Sequence, residues 1–184
     1  MKVTPTALEG VLILEPKVFG DERGFFMESF NQRAFDEAVG RHVEFVQDNH
    51  SRSQRGVLRG LHYQLPPHEQ GKLVRVVRGR AFDVAVDIRK GSSTFGRWIG
   101  VTLDAVDHRQ LWIPPGFAHG FLALEDDTHF LYKTTSFYAR DCERAIAWNE
   151  PAIAIDWPLG VAAPVLAAKD AEAPPLNRAD LFPQ

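Results

Sequence analysis

The most informative segment of the sequence is Gln47-Asp48-Asn49-His50-Ser51-Arg52-Ser53-Gln54-Arg55-Gly56-Val57-Leu58-Arg59-Gly60-Leu61-His62-Tyr63-Gln64. Its polar side chains alternate with apolar ones, and such alternation is typical of a strand that turns one face into the fold. A regular strand divides the end of the segment between two faces, with Leu58, Gly60 and His62 on one and Arg59, Leu61 and Tyr63 on the other. Polar groups on the inner face of a barrel are costly unless a ligand or partner satisfies them. The segment therefore predicts a strand beside a polar cavity.

Short apolar runs recur along the rest of the chain, with glycine and proline turns between them. The predicted strands include Val11–Leu14, Gly24–Phe26, Leu73–Val77, Ala81–Ile88, Trp98–Leu103, Gln110–Ile113 and His119–Leu124. Many short strands at even spacing are typical of an all-β sandwich, barrel or jelly roll. We find no internal repeat and no linker, so the sequence predicts one domain over residues 1–184.

Two stretches depart from the strand pattern. Residues Gln32–Val39 have helical composition and are followed by Gly40, a typical helix stop. After Asp156-Trp157-Pro158 the chain becomes rich in alanine and proline. We expect this last part to wrap the outside of the fold, with a few short peripheral helices.

Composition excludes several classes of protein. The formal charge is −3 and the basic residues are scattered, which disfavours a nucleic-acid groove or a polybasic membrane patch. Cys142 is the only cysteine, so no intrachain disulfide and no multi-cysteine metal site can form. The N-terminus lacks the apolar core of a signal peptide, and no uncharged stretch is long enough to span a bilayer. We expect a cytoplasmic protein without membrane or nucleic-acid partners.

A turn at residues 114–119, Pro-Pro-Gly-Phe-Ala-His, delivers a histidine to the start of an apolar strand. It matches the Pro-x-Gly-x-x-His part of the second cupin motif, whose histidine is a ligand in metal cupins. The partner motif, His-x-His, is missing, because His62 is followed by Tyr63 and Gln64. The histidine spacings suggest no first-row metal site. We therefore expect no bound metal, and His119 is either a hydrogen-bonded core histidine or a ligand contact.

Taken in order, the motifs resemble those of the dTDP-4-dehydrorhamnose 3,5-epimerase family. The similarity runs from about Glu15 to Asp170. The matching segments are residues 21–30, Asp-Glu-Arg-Gly-Phe-Phe-Met-Glu-Ser-Phe; 47–49, Gln-Asp-Asn; 56–64, Gly-Val-Leu-Arg-Gly-Leu-His-Tyr-Gln; 71–76, Gly-Lys-Leu-Val-Arg-Val; 114–121; 132–135, Tyr-Lys-Thr-Thr; and 168–170, Ala-Lys-Asp. Each motif alone is weak, but their ordered sum is specific.

This resemblance implies an enzyme without a cofactor, built on a cupin-like jelly roll that is usually a homodimer. Its substrate would be a dTDP-linked 4-keto-6-deoxy sugar, dTDP-4-dehydro-6-deoxy-D-glucose, inverted at C3 and C5. Inversion beside a ketone needs a base, a group that stabilises the enolate, and an acid on the opposite face. His62 matches the family's base, Asp170 its carboxylate partner, Lys72 the enolate stabiliser and Tyr132 the proton donor.

The resemblance also implies a set of substrate contacts. Two arginines suit a diphosphate, because their planar guanidinium groups bind oxygens in pairs. The implied contacts are Arg23, Glu28, Gln47, Asp48, Asn49, Arg59, Lys72, His119, Tyr138, Glu143 and Lys169. Family dimers commonly exchange N-terminal strands, which would bring Arg23 to the neighbour's site.

The chain departs from the family pattern just after Tyr132. Ser136, Phe137 and Arg140 stand where the family has acidic, tyrosine and proline positions, while Tyr138 is retained. These changes bear on recognition of the base and on the choice between C3 and C5. The alternatives are therefore an epimerase of one centre or a ketoisomerase acting on another dTDP-4-keto-6-deoxy sugar. A non-catalytic cupin-like binding module is disfavoured by the presence of a base and an acid together, and a metal-dependent cupin oxygenase is the weakest option.

Overall fold

The computed structural model describes residues 1–182, which form two facing antiparallel sheets and a separate hairpin. The strands are β1 (Lys2–Pro5), β2 (Leu12–Glu15), β3 (Val18–Asp21), β4 (Gly24–Met27), β5 (Gln47–Ser53), β6 (Leu58–Gln64), β7 (Lys72–Arg78), β8 (Arg80–Asp87), β9 (Trp98–Asp104), β10 (Gln110–Ile113), β11 (Phe117–Ala123), β12 (Thr128–Thr134) and β13 (Glu143–Ala145). The helices are α1 (Gln32–Val39) and α2 (Ala168–Ala171), with 3₁₀ turns at Arg140–Cys142 and Leu176–Arg178. The predicted strands and the early helix are confirmed.

The two large sheets form a sandwich, and the chain crosses repeatedly from one sheet to the other. The first sheet runs β1-β2-β10-β7-β12-β5 and the second runs β13-β6-β11-β8-β9, while β3 and β4 pair only with each other. This arrangement confirms the predicted all-β, jelly-roll-like architecture. The expectation of a single domain over residues 1–184 stays a prediction.

Three apolar clusters hold the layers together. Between the sheets, residues such as Val74 and Phe130 of the first sheet meet Phe121 of the second, and the rings of Phe121 and Phe130 stack at 4.1 Å. Helix α1 covers the outer face of the first sheet by packing Phe35 against Trp112. Side-chain burial on this scale is the main favourable term in folding. The sheet surfaces that line the interior are therefore rigidly placed.

The C-terminal segment covers the outer face of the second sheet, as the sequence predicts. Trp157 and Phe182 pack there against strand residues such as Leu61 and Tyr63. The Tyr63 hydroxyl donates to the carbonyl oxygen of Asp180 over 2.5 Å. This wrapping returns α2 to β6, where Asp170, the buried residue of the helix, meets His62.

The regular alternation predicted for β6 is wrong. Against β11, His62 pairs with His119 but Arg59 pairs with Phe121, so β6 has one extra residue and the ladder contains a bulge. The bulge falls at Gly60, where a Cβ would lie 2.5 Å from Gly120 Cα. Because the bulge reverses the alternation, Arg59 and His62 turn towards the interior, while Leu58, Leu61 and Tyr63 pack together on the outside.

Candidate active site

His62 forms a close pair with a carboxylate from the C-terminal segment. Its Nε2–H donates to Asp170 Oδ1 over 2.5 Å. The Asp170 side chain, on α2, is only 2% exposed, whereas that of His62 is 23% exposed. Since the carboxylate accepts a hydrogen bond from Nε2–H, the neutral ring carries its proton on Nε2 and its lone pair on Nδ1. His62 is thus arranged to accept a proton at Nδ1, from a position that a ligand can reach.

A second histidine–carboxylate pair lies beside the first. His119 is the direct cross-strand partner of His62, and its Nε2 is 2.7 Å from Asp83 Oδ1 on β8. Burial raises the pKa of Asp83 and lowers the pKa of His119, while the attraction between the two groups opposes both shifts. Asp83 Oδ2 has no hydrogen-bond partner in the part of the chain that the structure describes.

Lys72 approaches the two pairs from the opposite sheet. It is the first residue of β7, and its Nζ donates to the backbone oxygen of His62 over 3.3 Å. Burial lowers the pKa of Lys72 to about 8, against the attraction of Asp83 and Glu143. The amine is therefore mostly an ammonium at neutral pH. A buried ammonium with few partners is well suited to stabilise an oxyanion.

Tyr132 faces the interior from β12, opposite Asn49 on β5. Burial raises the pKa of Tyr132, although the positive charges of Lys169 and Arg59 oppose the shift. Its hydroxyl therefore stays protonated at neutral pH and can act as a donor. We call His62, Lys72, His119, Tyr132 and Arg59 the central site.

Arg59 joins the central site to the first sheet. Its Nε donates to Ser53 Oγ over 3.2 Å, and its Nη2 donates to the backbone oxygen of Arg52 over 3.4 Å. Both partners are neutral oxygens, and no carboxylate among residues 1–182 accepts from the guanidinium. Its charge is available to an anionic ligand.

A polar chain borders the central site near α2. Lys169 Nζ lies 2.9 Å from Glu143 Oε1, and the Tyr138 hydroxyl donates to Glu143 Oε2 over 3.0 Å. The backbone N–H of Tyr138 donates in turn to Gln47 Oε1, while Gln47 Nε2 donates to Asn49 Oδ1. The structure thus brings together five sequence-predicted contacts, of which Tyr138 is 55% exposed.

Three sequence-predicted contacts lie outside the central site. Asp48 points to the outer face of the first sheet, where it pairs with Lys133 at 2.9 Å, because alternation places it opposite Gln47 and Asn49. Its predicted role as a substrate contact stays a prediction. Arg23 lies on the exposed β3–β4 hairpin, 2.5 Å from Asp21, and Glu28 accepts from Asn31 Nδ2 over 3.2 Å. Neither of these two reaches the interior of its own chain.

Two residues that sequence reasoning missed complete the surroundings. Asp83 lies on the inner face of β8 between Ala81 and Ala85, and strand alternation in the apolar run 81–88 could have revealed it. Gln64 is a buried amide that binds two loops, a function without a sequence signal because its partners are backbone atoms.

Residues 1–182 contain no group of three or more histidine, cysteine or acidic side chains arranged to hold a metal ion. Cys142 is partly buried and free. In the same range, no helix has the length and apolarity needed to cross a membrane.

A β-sandwich whose interior holds a histidine–carboxylate pair, a protonated tyrosine and a buried ammonium has the groups that an acid–base enzyme needs. The model of the dTDP-4-dehydrorhamnose 3,5-epimerase family matches residues 5–178. The chain belongs to this family.

Individual relatives support this assignment over the full length. The chain is 62% identical to the dTDP-4-dehydrorhamnose 3,5-epimerase of Shigella flexneri over 182 residues, 99% of each chain. A solved dTDP-6-deoxy-D-glucose-3,5-epimerase of Legionella pneumophila, in complex with dTDP-4-keto-L-rhamnose, superposes with a TM-score of 0.95 at 51% identity, covering 100% of this chain and 98% of that one. A 3'-monoepimerase of Streptomyces bikiniensis, in complex with dTDP-quinovose, reaches a TM-score of 0.89 at 38% identity, covering 94% and 87%.

Proposed function

We propose that the protein is an epimerase that inverts C3 and C5 of dTDP-4-dehydro-6-deoxy-D-glucose to give dTDP-4-dehydro-L-rhamnose. The observation that carries this proposal is the central site itself. His62 and Tyr132 project from opposite sheets, and the Lys72 ammonium lies beside them. A binding module needs no base paired with an acid.

The reaction follows from the acidity that the C4 ketone gives to the hydrogens on C3 and C5. His62 Nδ1 removes one such proton, and the electron pair of the broken C–H bond moves into an enolate with its charge on the C4 oxygen. The Lys72 ammonium stabilises that oxygen. Tyr132 then delivers a proton to the same carbon from the opposite face, which inverts the centre. Each proton-transfer group is typically worth about 10²- to 10⁴-fold in rate.

Asp170 holds His62 in the state that this sequence requires. Its carboxylate fixes the Nε2–H tautomer and stabilises the imidazolium formed when Nδ1 takes the proton. Asp170 is a positioning residue, since it acts through His62. No metal or other cofactor takes part in any step as we propose it.

The nucleotide end of the substrate would bind along the polar chain. Arg59 and Lys169 supply positive charge for the diphosphate. The amides of Gln47 and Asn49 and the carboxylate of Glu143 suit the polar edges of the sugar and the thymine. The ring of Tyr138 can stack on the thymine, and His119 would contact the sugar. The expected absence of nucleic-acid and membrane partners, and the cytoplasmic location, stay predictions.

We further propose a homodimer in which the β3–β4 hairpin completes the partner's site. The hairpin pairs with no other strand of the described chain, and Phe19, Phe25 and Phe26 are all more than half exposed on it. Apolar surface of this kind marks an interaction site. Arg23 and Glu28 would then serve the neighbouring copy. Mixing Arg23→Ala with His62→Ala tests this, since mixed dimers regain one intact site and therefore activity, whereas independent sites would stay inactive.

The second candidate is an epimerase of a single centre. The same fold serves the Streptomyces monoepimerase, and Ser136, Phe137 and Arg140 alter the segment beside Tyr132. NMR of dTDP-4-dehydro-6-deoxy-D-glucose incubated with the protein in D₂O, with chelator present, separates the two. Deuterium at both carbons with inverted products supports the 3,5-epimerase, deuterium at C3 alone supports the single-centre enzyme, and no exchange contradicts both.

A further inference from the structure

Gln64 is a buried side chain at the end of β6, two residues beyond His62. It is 3% exposed, and its whole amide is bound to backbone groups. Nε2 donates to the carbonyl oxygens of His68, over 2.6 Å, and Phe137, over 3.2 Å. Oε1 accepts from the backbone N–H of Ala139 over 2.9 Å. The side chain therefore binds the loop after β12 on both sides of Tyr138.

The Tyr138 backbone is held from a second direction as well. Its N–H donates to Gln47 Oε1 over 3.1 Å, and Gln47 lies on β5 of the other sheet. The three consecutive residues Phe137, Tyr138 and Ala139 are thus fixed by two glutamines, one from each sheet. The exposed ring of Tyr138 is in contrast held, among the residues that the structure describes, by the single hydrogen bond from its hydroxyl to Glu143. Its position relative to His62 depends on the backbone anchors.

A glutamine is required chemically at position 64, because the three backbone groups need two donors and one acceptor from one side chain. Glutamate keeps the acceptor for Ala139 but turns an oxygen towards two carbonyl oxygens. Leucine leaves all three backbone groups without this partner. A buried group left unsatisfied costs about 1–3 kcal/mol, so either change favours displacement of the loop.

We propose that Gln64 is a positioning residue for the nucleotide end of the site. It sets the distance between Tyr138 and the base His62, and so determines the affinity for the dTDP part of the substrate without taking part in proton transfer. This inference rests on the proposed function, in which Tyr138 contacts the nucleotide.

The test compares Gln64→Glu with Gln110→Glu. Gln110 is also buried, at 5% exposed, and its amide also donates to a backbone oxygen, that of Ser29 over 2.7 Å, but on the outer face of the first sheet. Calorimetry with dTDP and steady-state kinetics with the dTDP sugar are the measurements. For Gln64→Glu we expect Kd and KM to rise at least about tenfold with kcat within about threefold, since one buried bond is worth this much. Gln110→Glu should leave all three values near those of the wild type.

A double-mutant cycle with Tyr138→Ala shows whether Gln64 acts through that ring. Gln64→Glu should add almost nothing to the Kd of Tyr138→Ala, because interacting residues are non-additive. Additive effects, or an equal fall in kcat with KM unchanged, would overturn the positioning role while leaving the epimerase proposal intact. A wild-type protein without turnover of the dTDP sugar would overturn that proposal too. If Gln64→Glu does not fold, Gln64→Met, which keeps the volume, replaces it in the same cycle.

Discussion

The interior contains two histidine–aspartate pairs on neighbouring strands, and their surroundings differ. His62 and His119 face each other across the β6–β11 ladder, and their partners lie at similar distances, 2.5 Å for Asp170 and 2.7 Å for Asp83. The His62 side chain is 23% exposed, whereas that of His119 is 8% exposed and its carboxylate is fully buried. Of the two pairs, that of His62 is the more open to a ligand and to solvent.

Burial explains why the two pairs differ in their chemistry. The pKa of His119 is lowered and that of Asp83 is raised because each charged form loses water. His119 is therefore held neutral and serves as a fixed hydrogen-bonding group. A histidine–carboxylate pair is therefore not by itself a base, because the imidazole must also lie within reach of the proton that it would remove.

The largest effect is expected from His62→Ala. Loss of a general base lowers kcat by about 10²- to 10⁴-fold, while dTDP affinity stays near the wild-type value because the nucleotide contacts are untouched. His119→Ala should instead act more on KM than on kcat. Turnover and calorimetry measure both, and a His62→Ala enzyme with near-normal kcat would assign the base elsewhere.

Asp170→Asn tests the partner of the base. The amide cannot stabilise the imidazolium and allows the wrong tautomer, so we expect kcat to fall by roughly 10²-fold, the lower end of the general-base range. The far-ultraviolet circular dichroism spectrum should stay unchanged. A larger fall in kcat for Asp83→Asn than for Asp170→Asn would instead assign the base to the His119 pair.

Tyr132→Phe distinguishes proton donation by Tyr132 from proton removal by His62. The base still removes the proton, so exchange of C–H for C–D in D₂O should continue, while inversion falls by about 10²-fold for want of a donor on the opposite face. NMR follows both processes in one sample. Equal loss of exchange and inversion would show that Tyr132 is not the donor.

How far the sequence predicts this molecule depends on whether the signal is local. Helix α1 and most strands could be predicted, because alternation and turn residues are local properties. The bulge at Gly60 could not, since it exists only against Gly120 of another strand, and it changes which side of β6 Arg59 occupies. The pairing of His62 with Asp170 spans 108 residues and came from the family resemblance. Alternation in the run 81–88 could have revealed Asp83, whereas Gln64 became visible only in the structure, because its partners are backbone atoms.

The pH dependence tests the state of Lys72. Its pKa is lowered to about 8 by burial, so the ammonium that stabilises the enolate is present below that pH and lost above it. We expect kcat/KM, which reports the free enzyme, to fall about tenfold for each pH unit above 8. Lys72→Arg keeps a charge that does not titrate in this range, so its residual activity should lack this decline. An unchanged wild-type profile up to pH 9.5 would contradict the assignment.

The smallest effect, on stability rather than rate, is expected from Asp83→Asn. Asparagine still accepts from His119 Nε2–H, but it no longer favours a charged ring. The native His119 pKa, already lowered by burial, should therefore fall further, while the unfolded chain still takes up a proton near pH 6.5. Where the unfolded state binds more protons, stability falls as pH falls. Relative to the wild type, the variant should lose up to about 1.4 kcal/mol of unfolding free energy per pH unit, but only below the wild-type native pKa of His119, which itself lies below 6.5, and little between pH 7 and 8. Urea unfolding at pH 5 and pH 8 measures this difference. If the difference is the same at both pH values, Asp83 does not control the charge of His119, and burial alone would then distinguish the two pairs.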